Sequence, residues 1–149
     1  MASHQPTAQP RRARAPHERH TEVQAFLNQL ASAITVGDGK RVASLWGIPA
    51  VVIGAEGVRV VTSHHEVERF FAGASDEYDE RGIVETRAEI RGEEWISDRL
   101  VIVKVRWPCL DSHGREVAAE ASDYTLRRNE RGELEVRAVL MRGVESQPN

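Results

Sequence analysis

A single cysteine, Cys109, stands in the 149-residue chain. An internal disulfide is therefore impossible, and a reducing, cytoplasmic setting is the default expectation. No apolar run approaches the ~18–20 residues that a membrane-spanning helix needs, and the first residues lack the apolar h-region of a secretory signal. The formal net charge of −3 gives no reason to expect nucleic acid or an anionic membrane as partner. Glycine-rich phosphate loops and nucleophile elbows do not occur. His17-Glu18-Arg19-His20 misses the i, i+4 histidine spacing of the metalloprotease motif. The adjacent His64 and His65 point about 100° apart on a helix and do not converge on one ion. We expect no metal and no cofactor.

What is present fits one domain. Hydrophobic residues at 40% and charged residues at 29% are ordinary for a globular protein. A chain of this size buries roughly 68–70% of its unfolded surface, so its core needs no covalent staple. Residues 1–17 are rich in Ala, Pro and Arg and are read as a disordered basic tail. Residues 18–145 form the expected domain, and 146–149 a disordered C-terminus.

Within the domain, Thr21 and Gln24 match a capping box. Val23, Phe26, Leu27, Leu30, Ala31 and Ile34 then recur as one apolar stripe of period 3.6. Gly37 stops this helix, and Asp38 opens a short second one carrying Val42, Leu45 and Trp46, ended by Gly47 and Pro49. Residues 50–53 and 58–61 flank Gly54-Ala55-Glu56-Gly57 as a small hairpin. Ser63 and Glu66 cap a third helix that buries Val67, Phe70 and Phe71 and closes at Gly73 and the acidic run of 76–80. Residues 83–96, 99–110, 115–128 and 133–144 read as long strands separated by turn residues. Gly92 and Pro108 mark bulges or bends within them. The fold class that follows is α+β, with three helices from the N-terminal half packed on a strongly bent antiparallel sheet that forms a cone.

Val36-Gly37-Asp38, Ser44-Leu45-Trp46, the run from Ser63 to Phe71, and Tyr124-Thr125-Leu126-Arg127-Arg128 before Gly132 follow in an order that resembles the nuclear transport factor 2-like superfamily, also called the SnoaL-like or cystatin-like α+β cone. The resemblance covers about residues 20–144. Its members include ketosteroid isomerases, polyketide cyclases, dehydratases, epoxide hydrolases and non-catalytic binding or assembly modules, so fold membership leaves function open. Matched from Gly37-Asp38, the isomerase base falls on Gly54, the oxyanion-holding Tyr on Leu30 and the second acid on Tyr124. A ketosteroid-isomerase mechanism is not expected.

The same resemblance places Trp46, Phe70, Val103, Trp107, Glu120, Tyr124, Arg137 and Met141 in the cone as ligand-pocket residues. Glu120 and Arg137 either orient a polar ligand or form a structural ion pair. Tyr124 either donates to a ligand or meets a backbone group. Alternation alone would instead turn Leu134, Val136, Ala138 and Leu140 inward; a one-residue slip reverses the choice. The leading expectation is a small-molecule binding domain for a small hydrophobic ligand. The alternatives are an isomerase-, cyclase- or dehydratase-type enzyme, and a non-catalytic dimerisation module with a filled cone. With Leu134, Val136, Ala138 and Leu140 on the outer face beside Leu100 and Ile102, and Lys104 and Arg106 toward the strand end, a homodimer through the outer sheet face is expected.

Overall fold

Helix α1 (Pro16–Val36) buries the whole apolar stripe from Val23 to Ile34 in the computed structural model, which describes residues 15–145. The helix begins at Pro16 rather than at Thr21. Proline at the first helical position has no N–H to leave orphaned and a φ already helical, and Glu18 in the first turn suits the helix dipole. Gln24 makes no capping box; its amide donates to Asn28 Oδ1 at 2.9 Å and to Ala88 O at 3.2 Å. The expected tail of residues 1–17 lies outside the described residues except at its end, where Pro16 and His17 are helical; residues 146–149 also lie outside. Gly37 ends α1 at φ 72°, and a Cβ there would stand 2.5 Å from Ser75 Cβ. Conformation and close approach of the third helix both demand glycine.

Asp38 caps α2 (Gly39–Ser44) by accepting from Arg41 N at 3.1 Å. Ser63 caps α3 (His64–Glu80) by accepting from Glu66 N at 3.3 Å, while the Glu66 carboxylate reaches back to Thr62 N and Oγ1 at 3.1 and 2.7 Å. Helix α3 does not stop at Gly73. An internal glycine costs only about 1 kcal/mol against alanine, and continuing the helix carries Tyr78 onto the core. No helix among the described residues is long and apolar enough to cross a membrane.

The remaining elements are β1 (Trp46–Gly54), β2 (Gly57–Val61), β3 (Glu85–Thr86), β4 (Glu89–Ser97), β5 (Leu100–Leu110), β6 (Glu116–Arg128) and β7 (Leu134–Val144). They form one seven-stranded sheet in the order β2-β1-β7-β6-β5-β3, with β4 also paired to β5. The expected all-antiparallel sheet is in fact mixed, because β7 lies parallel to β1. The β6–β7 hairpin returns the chain in the direction β1 already runs. Trp46 opens β1 instead of closing α2. The single strand expected over 83–96 splits into β3 and β4, both of which pair with the long β5. Helix α1 covers the edge of β3, where Thr35 Oγ1 accepts from Thr86 N at 3.0 Å, which satisfies an edge amide.

A bulge in β7 decides which residues face the helices. Leu126 pairs with Val136, but the next residue back, Thr125, pairs with Ala138. Arg137 is the extra residue, and alternation changes phase there. Before the bulge Leu134 and Val136 are buried on the helix side, with Val136 fully covered. After it Val139 and Met141 take that side. Each of the two alternations considered for this strand therefore holds for half of it.

Charged side chains fasten α1 to the sheet. Arg128 Nη2 donates to Glu22 Oε1 at 2.8 Å, and the guanidinium carbons of Arg128 and Arg19 lie 5.3 and 4.8 Å from the Trp95 ring centroid, within cation–π range. On the other face Arg106 donates to Glu89, Glu116 and Glu145 together, which ties the end of β7 to β5.

Truncating Leu126 to Ala at the buried phase change is expected to cost about 2–5 kcal/mol, read from denaturant unfolding; a cost under about 1 kcal/mol would show that the bulge does not hold the core. The Asp123 carboxyl is held below its ordinary range by the Arg142 guanidinium, whose Nη2 lies 2.7 Å away. A carboxyl whose folded pKa is lowered stabilises fully above its unfolded pKa of about 3.9, and that part is lost as pH falls below it. Asp123→Asn is therefore expected to lose stability at neutral pH, and its deficit against the wild type to shrink as pH falls below that range, read from denaturant unfolding across acid pH.

Candidate functional site

The inner face of the sheet is built from rows that the strand register fixes. Val103, Tyr124, Val139, Val52 and Arg59 form one row from β5 to β2; Val105, Ser122 and Met141 form the next; Trp107, Glu120 and Val144 the third. Helix α3 lies above, with Phe71 and Tyr78 packed half-buried on the core. These surfaces are the walls of the cone.

Its base is filled. Trp107 and Tyr124 meet edge to face, centroids 5.8 Å apart, and both are buried. Tyr78 and Cys109 complete the base. Burial, and then the charge of neighbouring groups including Glu120, pushes the phenols of Tyr78 and Tyr124 up. Burial, then Glu120, does the same to the Cys109 thiol. All three stay protonated at neutral pH, so Cys109 is no ready nucleophile. The Tyr124 hydroxyl makes no hydrogen bond to a described residue.

The open end is different. A cleft of about 460 Å³ lies between the β1–β2 hairpin and the end of β7, lined by Val52, Gly54, Gly57, Arg59, Met141 and Gly143 among others. Val52 and Met141 give it an apolar floor. The glycines keep that floor low, since a Cβ on Gly54 would come within 3.7 Å of Met141 Cβ. Met141 is 48% exposed. Of the two arginines there, Arg142 is bound to Asp123 through two hydrogen bonds, at 2.9 and 2.7 Å. A second groove, of about 580 Å³, runs between α1 and β3, lined by Asn28, Thr35, Val36, Val84 and Thr86 among others.

The structure brings Val103, Trp107, Glu120 and Tyr124 together at the base and sets Met141 at the mouth. Trp46 lies buried at the other end of β1, its ring 6.4 Å from Phe71, with Nε1 lacking any hydrogen-bond partner among the described residues. Phe70 is not in the cone. It is 57% exposed, and its neighbour Phe71, turned about 100° around the helix, takes the inward position. Arg137 is also elsewhere. As the bulge residue it leaves the inner face, donating from Nε to Pro49 O at 2.9 Å beside Glu135, while Glu120 pairs with Val144. The considered Glu120–Arg137 pair therefore does not form. Tyr78 escaped sequence reasoning because α3 was ended at Gly73. Val67, Phe71 and Tyr78, at i, i+4 and i+11, carry the signal that would have found it. At the positions matched to isomerase chemistry stand Gly54 at the hairpin, fully buried Leu30 and the protonated Tyr124.

A family profile described as NTF2-like protein (DUF6841) matches residues 20–143. No curated protein matches. Among solved structures, a domain of unknown function with a cystatin-like fold from Nostoc punctiforme is 17% identical, with 89% of this chain and 81% of that chain covered and a TM-score of 0.69. Aln2 from a Streptomyces species is 20% identical over 89% of this chain and 94% of its own, TM-score 0.68. A ketosteroid isomerase-like protein from Erwinia carotovora atroseptica is 15% identical over 87% of this chain and 98% of its own, TM-score 0.64. At these identities the similarity is one of fold.

Tyr124→Phe keeps the ring against Trp107 and removes a hydroxyl without a partner among the described residues. Its expected effect on stability is under about 1 kcal/mol; a larger loss in thermal unfolding would make that hydroxyl structural.

Proposed function

This chain belongs to the NTF2-like family (DUF6841), and we propose that within that fold it is a small-molecule binding domain whose ligand sits at the open end of the cone. The observation that carries the reading is the cleft of about 460 Å³ floored by Val52 and Met141, a volume within the range of ordinary ligand pockets. The base of the cone supports it as a rigid stop, because Trp107 and Tyr124 already occupy it. Binding is favoured over catalysis by the groups present. The position matched to the isomerase base is Gly54, and the neighbouring phenols and thiol are held protonated. The working ligand is small and mostly apolar, with its body lying on the Val52–Met141 floor.

The reading includes a homodimer through the outer sheet face. Leu134 and Val136 do not belong to that surface, since the bulge turns them inward. Val58, Ile53 and Leu140 form one outer row, and Val60, Val51 and Ala138 the next. Val58 is 68% and Val60 59% exposed, Ile53 and Leu140 39% each. Contiguous apolar surface of this kind exceeds scattered surface residues, and a two-fold pairing covers it with each residue used twice. Arg106, engaged by three glutamates, and the Asp123–Arg142 pair lie on the same face as its polar frame.

Calorimetric titration of decanol is expected to show saturable binding to the wild type and at least tenfold weaker binding to Met141→Asp, whose exposed side chain leaves the core intact. Equal binding to both would remove the cleft from consideration. In sedimentation velocity at tens of micromolar the wild type is expected as a dimer and Val60→Lys as a monomer; a monomeric wild type would end the dimer reading.

A further inference from the structure

We propose that the ligand of this cleft is an amphipathic carboxylic acid, held by Arg59 at its head and by Val52 and Met141 along its chain. The inference rests on the binding reading above and adds the chemical class. Register places Arg59 opposite Val52 on the inner side of the hairpin, alternating with the outward Val58 and Val60. Its guanidinium therefore belongs to the cleft. Arg59 makes no hydrogen bond or ion pair to a described residue. Glu66 lies within electrostatic reach of it, but that carboxylate is already engaged by Thr62 N and Oγ1 and pulled below its ordinary range mainly by them. The other cation of the cleft, Arg142, has both its charge and its fork matched by Asp123. Glu56, the acid of the cleft, lies in the turn beyond the last ladder pair, Gly54–Gly57, at the outer lip.

The cleft thus offers one guanidinium with an open hydrogen-bonding fork at the edge of an apolar floor. A carboxylate accepts two parallel N–H bonds from such a fork. A chain leaving that head group crosses Val52 on β1 and Met141 on β7, neighbouring strands roughly 4.8 Å apart, and reaches toward Ser122 on β6. A bare cation would meet Arg59 as a like charge, and a neutral alcohol would leave the fork half-matched.

The test compares decanoate, decanol and decylamine by calorimetry on the full chain, with the wild type, Arg59→Gln and Arg59→Lys. Decanoate is expected to bind the wild type at least tenfold more tightly than decanol, and decylamine more weakly than either. Arg59→Gln is expected to bring decanoate down to the level of decanol, and Arg59→Lys to restore part of the preference. Equal affinity of decanoate and decanol for the wild type would overturn the inference and leave the binding reading standing; so would a preference that survives Arg59→Gln. Absence of binding by all three probes would overturn the binding reading and this inference with it.

Discussion

The phase change at Arg137 in β7 is the constraint on which the rest of the molecule depends. Without it one residue set of this strand would face the helices from Leu134 to Met141, where a second register shift, with Arg142 as the extra residue, changes the phase again. With it, Leu134 and Val136 seal the core against Leu126 under α1, and Val139 and Met141 line the open half of the cone. The same event turns Ala138 and Leu140 outward to join Val51, Ile53, Val58 and Val60. This extra residue divides the strand into a segment buried in the core and a segment that presents two surfaces, one on each side of the sheet. The parallel pairing with β1 is coupled to it, because the register between these strands is regular only from Val51 with Ala138 onward.

The filled and the open parts of the cone are consequently separated across the sheet, β5 and β6 carrying the one and β1, β2 and β7 the other. The base is a packed unit of Trp107, Tyr124, Tyr78 and Cys109, whose polar atoms stay neutral in a desolvated setting. The mouth has small residues, glycines on both flanking strands and exposed Met141. A polarizable, unbranched side chain adapts to more than one apolar shape. The arginine network between α1, β4 and β6 lies at the far end and keeps the helix layer seated while the mouth stays open.

Much of the fold was legible in the sequence. The stripe of α1, the caps at Asp38 and Ser63, the hairpin at Gly54–Gly57 and the long strands all rest on local signals of periodicity and turn chemistry. What was not legible depends on tertiary context. Helix α3 passes Gly73 because Tyr78 has a core to reach. Proline at position 16 starts a helix without a side-chain cap. The mixed sheet follows from strand order, which no local pattern encodes. The site was read less well for the same reason. Alternation fixes the inward face only until a bulge, and neither Arg137 nor its neighbours announce one. Phe70 and Phe71 are adjacent and chemically alike, so the choice between them turned on helical phase, which Tyr78 would have settled.

The central claim is that the open end of the cone, rather than its base or its outer face, receives a ligand. Two-dimensional NMR of the isotopically labelled protein during titration with decanol tests it most directly. The account predicts progressive shifts at the Val52 and Met141 methyl groups and at the Gly54 and Gly143 amides, with Trp107 and the outer Val60 little affected. Shifts centred on Trp107 and Tyr124, or on Val51, Val60 and Leu140, with the mouth residues silent, would contradict it.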